Sequence, residues 1–279
     1  MQLWYRADDG ALINIGGTGD VPAADGDLVE GWLDKSNNSY HAIQYTTNRR
    51  PIFDDPATNY NGQPALSFDG SDSHGDYMSP GNVLNQGTNS FTVFTVFSSP
   101  SRTVAANEML IEKRETSGTR RDRFTLYLRP SASTPSLQFL IGDGTNAYGA
   151  LVGTDYSALL NAQPHISAGV VDRAGNTLYH YLDGGTPGTA DITGLGTQSN
   201  SNSFYIGRGT GGTTDTWEGH IAEILMYQGA LTADELNAVG YYLQAKYGVD
   251  GSYVVPEPSM AIVLLLGGAS ALVFWRRRR

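Results

Sequence analysis

The carboxylates of this chain are candidates for glycoside hydrolysis. Cleavage of a glycosidic bond needs two carboxyl groups across roughly 5 to 9 Å. Two carboxylates on one strand share a face only at even spacing, since alternate residues point the same way. Glu218 and Glu223 are five positions apart and would point to opposite faces. Asp25 and Asp27 alternate, but they lie among Gly and Ala in a predicted loop. The carboxylates therefore predict no glycoside hydrolase, and we assign no catalytic residue.

Other catalytic signatures are absent from the sequence. It contains no His-Glu-x-x-His, no Gly-x-Ser-x-Gly and no phosphate-loop Gly-Lys pair. Residues 207–212 match Gly-x-Gly-x-x-Gly, yet a strand follows them instead of a helix, which predicts a glycine-rich loop. The chain has no cysteine, which excludes disulfides, thiolate nucleophiles and thiolate metal sites.

Aspartates cluster in two stretches that could bind calcium, whose hard oxygen ligands converge from a loop. The first candidate cluster is Asp20, Asp25 and Asp27, and the second is Asp69, Asp72 and Asp76. Neither cluster has the order of the twelve-residue EF-hand loop. The alternative is that these aspartates cap the backbone of their own turns, as aspartates commonly do. Calcium is the one candidate cofactor that the sequence suggests.

Aromatic residues in predicted loops are candidates for carbohydrate binding, because the C–H faces of sugars stack on rings while their hydroxyls take hydrogen bonds. The candidates are Tyr45, Tyr60, Tyr77, Tyr148 and Trp217. The alternative for each ring is packing in the core or at its rim, a common role in a chain with 16 tyrosines. Both roles stay open at this point.

Charge and composition narrow the class of protein. The chain has 28 Asp and Glu against 18 Lys and Arg, a formal net charge of −10. This acidity argues against nucleic acid as a partner, because phosphate binding needs a positive field. The 34 glycines and 16 tyrosines favour an all-β domain with many turns.

Strand-length runs separated by turn residues recur along the chain, for example at 109–113, 124–128 and 137–141. Residues 90–98 are largely apolar on both faces, which predicts a central strand of a two-sheet sandwich. One helix is predicted over 233–247, where Thr232 and Glu235 form a capping box and Gly248 ends the helix. The pattern predicts an all-β sandwich or jelly roll with one C-terminal helix.

The C-terminal end carries an uncharged run over 259–275, followed by Arg276, Arg277, Arg278 and Arg279. As a helix this run would be about 26 Å long, close to a hydrocarbon core of roughly 30 Å. The arginines should stay in the cytoplasm, which places the preceding domain on the other side of the membrane. We expect a domain over 1–249, a linker over 250–258, and a transmembrane helix with an Arg-rich tail over 259–279.

Pro256, Glu257 and Pro258 directly precede the apolar run. A Pro-Glu-Pro, an apolar helix and an arginine cluster, in that order, resemble the PEP-CTERM sorting signal of Gram-negative envelope proteins. The resemblance implies an exosortase, a membrane cysteine transpeptidase, as a partner, and a place in the cell envelope or outside the cell. The alternative is an ordinary tail anchor. Residues 1–10 lack the basic start and apolar core of an export signal, so we expect one upstream of Met1.

A second set of motifs spreads from the first strands to the end of the predicted helix. Its residues are Trp32, Asp34, Ser36, Asn38, His41, Ala42, Pro64, Leu66, Phe68, Asp69, Gly70, Val171, Asp172, Tyr181, Asp183, Gly184, Ile206, Gly207, Arg208, Gly219, His220, Ile221, Ala222, Glu223, Ile224, Tyr241, Tyr242, Leu243, Lys246, Tyr247 and Gly248. With them the domain resembles bacterial laminin G-like, concanavalin A-like domains. The resemblance implies a two-sheet jelly roll and, often, a carbohydrate or protein ligand, sometimes with calcium. It implies no single activity, because function is grafted onto this fold case by case.

We therefore expect an exported cell-surface or extracellular-matrix module that binds an exopolysaccharide or a surface protein and does no chemistry itself. Two alternatives stay open. One is a glycan-processing enzyme, a glycoside hydrolase or lyase, on the same fold, and the other is a structural matrix protein with no discrete ligand. Saturable glycan binding without turnover, release of product, and self-association alone distinguish the three.

Overall fold

The computed structural model describes residues 1–16, 19–70, 75–114, 123–130, 136–152, 156–210 and 215–256. These residues form two sheets packed face to face, with a helix on the outer face of one sheet. The strands are β1 (Leu3–Arg6), β2 (Ala11–Asn14), β3 (Val21–Pro22), β4 (Gly31–Trp32), β5 (Ala42–Ile43), β6 (Ile52–Asp54), β7 (Ala65–Asp69), β8 (Met78–Gly81), β9 (Phe91–Ser98), β10 (Glu108–Arg114), β11 (Arg123–Arg129), β12 (Ser136–Gly142), β13 (Ala147–Val152), β14 (His165–Asp172), β15 (Thr177–Leu182), β16 (Gly188–Asp191), β17 (Phe204–Ile206) and β18 (Glu218–Gln228). The helices are α1 (Tyr156–Leu159) and α2 (Ala233–Tyr247).

The two sheets have different strand orders. The first runs β16-β15-β14-β9-β18-β7-β6, with β1 beside β18, and the second runs β13-β12-β11-β10-β17-β8-β5-β4-β2-β3. At the centre of the first sheet, β9 and β18 pair antiparallel from Phe91 and Gln228 to Ser98 and His220. The predicted two-sheet sandwich with one C-terminal helix is confirmed.

The main hydrophobic core lies between the two sheets. From β9 it takes Phe91, Val93 and Phe97, whereas Phe94 and Val96 on the other face of β9 join a second cluster under α2. Both faces of β9 are apolar because the first sheet is covered on one side by the second sheet and on the other by the helix. This double cover explains the pattern that predicted a central strand over 90–98.

The helix α2 forms where the sequence predicts it, over Ala233–Tyr247. Thr232 Oγ1 accepts the Glu235 backbone N–H at 3.3 Å, and the Glu235 carboxylate accepts the Thr232 N–H at 2.9 Å. Gly248 ends the helix in the left-handed conformation with a φ of 68°. The apolar side of the helix is buried against the outer face of the first sheet.

A buried ionic network joins β1, β18 and α2. Glu223 is fully buried. Its carboxylate accepts hydrogen bonds from Trp4 Nε1, Lys246 Nζ and the Tyr247 hydroxyl, each at 2.7 Å. Lys246 Nζ also pairs with Asp8 at 2.8 Å. Because a buried charge is tolerated only when it is paired and hydrogen-bonded, the motif residues of this network serve the fold.

The folded part of the chain continues past α2 to Val254. The Asn237 side chain donates to the Val254 carbonyl and accepts the Val254 N–H, both at 2.9 Å. Gln244 binds the backbone of Tyr253 in the same way, at 3.2 Å in both directions. The Tyr253 ring lies so close to Gly240 that a Cβ there would be 2.1 Å from it. Two amide side chains therefore hold the chain against α2 as far as Val254, and the domain boundary at 249 stays a prediction.

The predicted membrane segment lies outside the part of the chain that the structure describes. Pro256 is the last described residue, so Glu257, Pro258 and the apolar run with its four arginines are not included. Within the described residues, no helix has both the length and the apolar character needed to cross a membrane.

Candidate functional site: the polar face of the second sheet

The aspartates of the first predicted calcium cluster all bind backbone. The carboxylates of Asp20, Asp25 and Asp27 accept the N–H groups of Gly16, Asp55 and Ala24 at 3.1, 3.0 and 2.8 Å. Among the described residues, no three His, Asp or Glu side chains come together in a way that could hold a metal ion. Asp20 and Asp27 cap their own turns, whereas Asp25 binds the more distant backbone of Asp55. Calcium at this cluster stays a prediction.

Asp69 and Asp76 of the second predicted calcium cluster lie side by side. The Asp76 carboxylate accepts the Asp69 N–H at 3.1 Å, and the Asp69 carboxylate accepts the Asp76 N–H at 3.4 Å. Burial and the neighbouring charge of Asp69 raise the pKa of Asp76 to about 7. Asp72, the third predicted ligand, lies outside the described residues, so calcium at this cluster stays a prediction.

Two of the five predicted sugar platforms lie in hydrophobic clusters. Tyr60 and Trp217 are both 0% exposed. Tyr60 packs edge-on against Tyr247 with ring centres 5.9 Å apart, and Trp217 packs edge-on against Phe97 at 5.7 Å. Neither ring offers a face to a ligand, so the structure corrects these two predictions.

The three remaining aromatic candidates reach the surface. Tyr45 is 72% exposed. Tyr148 is half-buried on β13, and its hydroxyl donates to the Thr193 carbonyl at 3.0 Å. Tyr77 directly precedes β8 and is half-buried. Of these three, Tyr77 belongs to a larger polar surface on the second sheet.

The outer face of the second sheet carries polar and aromatic side chains from adjacent strands and from the loop after β17, which we name the polar face. Its members are Tyr77, Glu112, Arg114, Thr125, Tyr127, Gln138, Tyr205, Arg208, Thr210 and Asp215. Strand register brings them together: Glu112 pairs with Thr125 on β11 and with Tyr205 on β17, and cross-strand partners share a face. The alternate residue Ile111 points into the core.

An arginine lies between two tyrosines at one end of the polar face. The Arg208 guanidinium is 3.9 Å from the centre of the Tyr77 ring and 4.9 Å from that of Tyr205. The two ring centres are 5.7 Å apart, with the planes inclined at 68°. Cation–π attraction holds the arginine there, so the guanidinium covers part of each ring, and the rest of these half-buried rings reaches the surface.

Glu112 and Arg114 form the buried centre of the polar face. Glu112 is 0% exposed, and its Oε1 accepts the Thr210 N–H at 2.6 Å. Arg114 Nε lies 3.1 Å from the same oxygen, and Arg114 Nη2 lies 3.6 Å from Asp215 Oδ2. Burial raises the pKa of Glu112, although the Arg114 charge and the Thr210 N–H act in the opposite direction.

Several buried atoms of the polar face have no hydrogen-bond partner among the described residues. They are Glu112 Oε2, Arg114 Nε and Nη2, Thr125 Oγ1, Arg208 Nε and Thr210 Oγ1. Three of these atoms still have a close neighbour: Arg114 Nε and Nη2 contact carboxylates at 3.1 and 3.6 Å without aligned geometry, and the Thr210 hydroxyl acts on the Glu112 carboxylate. Leaving a buried polar group unpaired costs about 1–3 kcal/mol, and native proteins keep such groups rare. Their concentration in one place marks a surface whose hydrogen bonds are completed by a polar ligand or by ordered water.

A larger cleft of about 300 Å³ lies at the ends of β7, β9 and β18 in the first sheet, and its lining includes Asp69, Glu218 and His220. Its charged groups are paired with neighbours. His220 Nε2 lies 2.9 Å from Asp54, and Glu218 lies 3.1 Å from Arg102 Nε. Arg102 Nε, like Arg114 Nε, contacts its carboxylate without an aligned hydrogen bond, but the polar face gathers several such atoms and the cleft lining is mostly paired.

Two family models match the chain. The model of the concanavalin A-like lectin/glucanases superfamily covers residues 69–237, and that of the PEP-CTERM protein-sorting motif covers residues 254–279. The chain belongs to the concanavalin A-like lectin/glucanases superfamily. Both resemblances expected from the sequence are confirmed, and the sorting motif indicates that this concanavalin A-like protein is exported to the cell envelope of a Gram-negative bacterium.

Several solved structures are similar to the chain. The binding domain of Paraclostridial Mosquitocidal Protein 1 has a TM-score of 0.59 and 12% identity over 86% of this chain and 53% of that chain, so the match spans about half of its length. The Ruminococcus gnavus IT-sialidase CBM40 bound to α2,3-sialyllactose has a TM-score of 0.46 and 18% identity over 56% of this chain and 84% of that chain. The leech intramolecular trans-sialidase has a TM-score of 0.46 and 16% identity over 60% of this chain and 24% of that chain. The likeness to the Paraclostridial domain, at 12% identity, shows the fold alone. No curated protein matches the chain.

Sequence reasoning misses the centre of the polar face. Glu112 and Arg114 are two positions apart in β10, which also contains Glu108 and Lys113, and this spacing is the signal that both side chains share a face. Thr125 and Thr210 carry no such signal, because strand pairing and a returning loop bring them to Glu112.

Proposed function

We propose that this chain is an exported module of the cell envelope that binds carbohydrate at the polar face and does no chemistry itself. The observation that carries the proposal is the set of buried, unpartnered donors and acceptors around Glu112 and Arg114, next to the rings of Tyr77 and Tyr205. Sugar binding uses both features, since ring faces take C–H groups and polar groups take hydroxyls. The proposed ligand is an exopolysaccharide of the bacterium that produces this protein, which we call the host.

Calorimetric titration of the full chain with purified host exopolysaccharide tests the proposal. We expect saturable binding, with no new reducing ends released in the same sample. Replacing Tyr77 and Tyr205 together by Ala should weaken the affinity about tenfold or more, because each stacked ring contributes about 1 kcal/mol. Tyr148→Ala is the matched control, since Tyr148 pairs across the strands with the core residue Ile141. Unchanged affinity in the double variant, or release of product, would contradict the proposal.

The same titration in calcium and then in chelator tests the calcium prediction at Asp69, Asp72 and Asp76. If calcium supports binding through this cluster, chelator weakens binding of the wild type, and Asp72→Asn reproduces the loss in calcium. Equal affinities for the exopolysaccharide in calcium and in chelator would show that calcium does not support binding.

We also propose that an exosortase processes the tail at Pro256, Glu257 and Pro258. The support is the sorting motif matched over 254–279, together with a folded domain whose last clamped residue, Val254, lies just ahead of it. Replacing the three motif residues by Ala should leave the chain unprocessed in its host, detected by mass spectrometry of the C-terminal peptide. Asp250→Ala, upstream of the motif, should be processed normally. Normal processing of the triple variant would contradict this part.

A further inference from the structure

A small cavity lies at the centre of the polar face. It has a volume of about 60 Å³ and is lined by Asn107, Met109, Glu112, Arg114, Thr125 and Tyr127. Asn107 is exposed and Tyr127 is half-buried, whereas Glu112 is fully buried, so the cavity leads from the surface to a charged floor. A cavity holds a water molecule once about 10–15 Å³ is open to the centre of a water-sized sphere. The cavity therefore has room for groups of the size of a hydroxyl.

The floor of the cavity offers Glu112 Oε2, an acceptor with no aligned donor, beside Arg114, whose N–H groups contact carboxylates without alignment. The Thr210 N–H and Arg114 Nε both lie against Glu112 Oε1, which leaves Glu112 Oε2 without a donor. Arg114 Nη2 has no aligned acceptor, and the Thr125 hydroxyl has no partner. A sugar hydroxyl both donates and accepts. Two adjacent hydroxyls can therefore donate to Glu112 Oε2 and accept from Arg114 at the same time.

The charges of the polar face disfavour an acidic sugar. Glu112 and Asp215 offset Arg114 and Arg208, and the chain as a whole carries a net charge of −10. A uronate carboxylate in the cavity would face Glu112, whose own charge is already buried. Like charges repel strongly where little water separates them.

We propose that the polar face selects an uncharged saccharide and holds two of its adjacent hydroxyls between Glu112 and Arg114. This inference rests on the function proposed above and adds the class of ligand. The rings of Tyr77 and Tyr205 are the surface on which the rest of the saccharide lies, outside the cavity.

Three polymers test the ligand class. Dextran is uncharged and has adjacent hydroxyls. Dextran treated with periodate and then borohydride has lost them, and polygalacturonate has adjacent hydroxyls together with carboxylates. The full chain is titrated with each polymer in a detergent that has no sugar headgroup, so that the detergent does not compete. Dextran is expected to bind, while oxidised dextran and polygalacturonate are expected to bind at least tenfold more weakly.

Two variants test the residues. Glu112→Gln removes the charged acceptor and is expected to weaken dextran binding at least tenfold. It is also expected to reduce the ratio of the affinity for dextran to that for polygalacturonate, because Arg114 loses its opposing charge. Thr125→Val removes a buried hydroxyl at nearly constant shape and is expected to weaken dextran binding about threefold. This second variant tests the proposal even if Glu112→Gln does not fold. Asp234→Asn, the same kind of charge removal on exposed α2, is the control and should bind as the wild type does.

The outcomes separate this inference from the function on which it rests. Tighter binding of polygalacturonate than of dextran overturns the uncharged ligand and leaves carbohydrate binding standing. Binding of dextran that neither variant weakens shows that buried water completes the hydrogen bonds, which overturns the roles of Glu112 and Thr125. Failure of these polymers and of host exopolysaccharide to bind the folded chain overturns the proposed function itself.

Discussion

Two buried glutamates differ in how completely their carboxylates are hydrogen-bonded. Glu223 has its carboxylate surrounded by donors from Trp4, Lys246 and Tyr247. Glu112 is just as buried, but one of its oxygens has no donor among the described residues. Burial is the same for both glutamates, so the difference that supports our proposal for Glu112 is the oxygen without an aligned donor.

Removing the carboxylate of Glu223 is expected to be among the most damaging single changes. Glu223→Ala leaves Lys246 and two further donors buried without their acceptor, so we expect a loss of about 3–5 kcal/mol in the free energy of unfolding, measured by urea denaturation. Asp9→Ala is the control, because Asp9 forms an exposed pair with Lys35 at 2.9 Å and should cost less than about 1 kcal/mol. Equal losses in the two variants would show that the network does not stabilise the fold.

His180 should make the stability depend on pH below neutrality. Burial lowers the pKa of His180 to about 4, against an ordinary value of 6.5, although the Ala150 carbonyl, 3.2 Å from Nδ1, opposes the shift. Below pH 6.5 the unfolded chain takes up a proton that the folded chain refuses, so stability falls as pH drops towards 4, by about 3 kcal/mol. His180→Gln should flatten this slope relative to the wild type in urea unfolding at pH 7, 5.5 and 4. Parallel slopes would contradict the assignment.

At the scale of elements, the sequence predicts best where a pattern is local. The capping box of α2 needs only Thr232 and Glu235, and the two apolar faces of β9 can be read from alternate residues. The polar face depends on pairings between distant segments, such as Glu112 with Tyr205, and no local pattern specifies that register. Tyr60 and Trp217 mislead for the same reason, since their loops fold onto apolar clusters made by other parts of the chain.

The loop that follows β17 should tolerate almost no change at Gly207. Gly207 has a φ of 84°, and a Cβ there would lie 2.4 Å from the Phe68 ring. Gly26 has nearly the same φ, 83°, with open space around it. Gly26→Ala should cost about 1–2 kcal/mol from backbone strain alone, and Gly207→Ala about 2 kcal/mol more from the clash.

The same change at Gly207 should also weaken ligand binding, because the displaced loop carries Arg208 and Thr210. Thermal unfolding and titration with exopolysaccharide measure the two effects, and Gly26→Ala controls for strain in both. If the two variants lost equal stability and bound equally well, the close approach of Gly207 to Phe68 would not matter.

At the scale of the whole molecule, the segment before the sorting motif packs against the domain. The Tyr253 ring is buried against α2, whereas its neighbour Val254 is 65% exposed. Tyr253→Ala should therefore cost about 3 kcal/mol in the free energy of unfolding, and Val254→Ala should change it by less than about 0.5 kcal/mol. Chemical denaturation of the two variants measures the difference. A small effect at Tyr253 would mean that the domain ends near 249, as the sequence predicts.

The central claim is that carbohydrate binds the polar face of the second sheet and not the cleft in the first. Hydrogen–deuterium exchange of the full chain, with and without saturating host exopolysaccharide, tests it most directly. We expect slower exchange in peptides that cover β10 (Glu108–Arg114), β17 (Phe204–Ile206) and the loop to residue 210, with β7 and α2 unchanged. Protection confined to β7 and the start of β18, around Asp69 and His220, would contradict the claim and move the site to the first sheet.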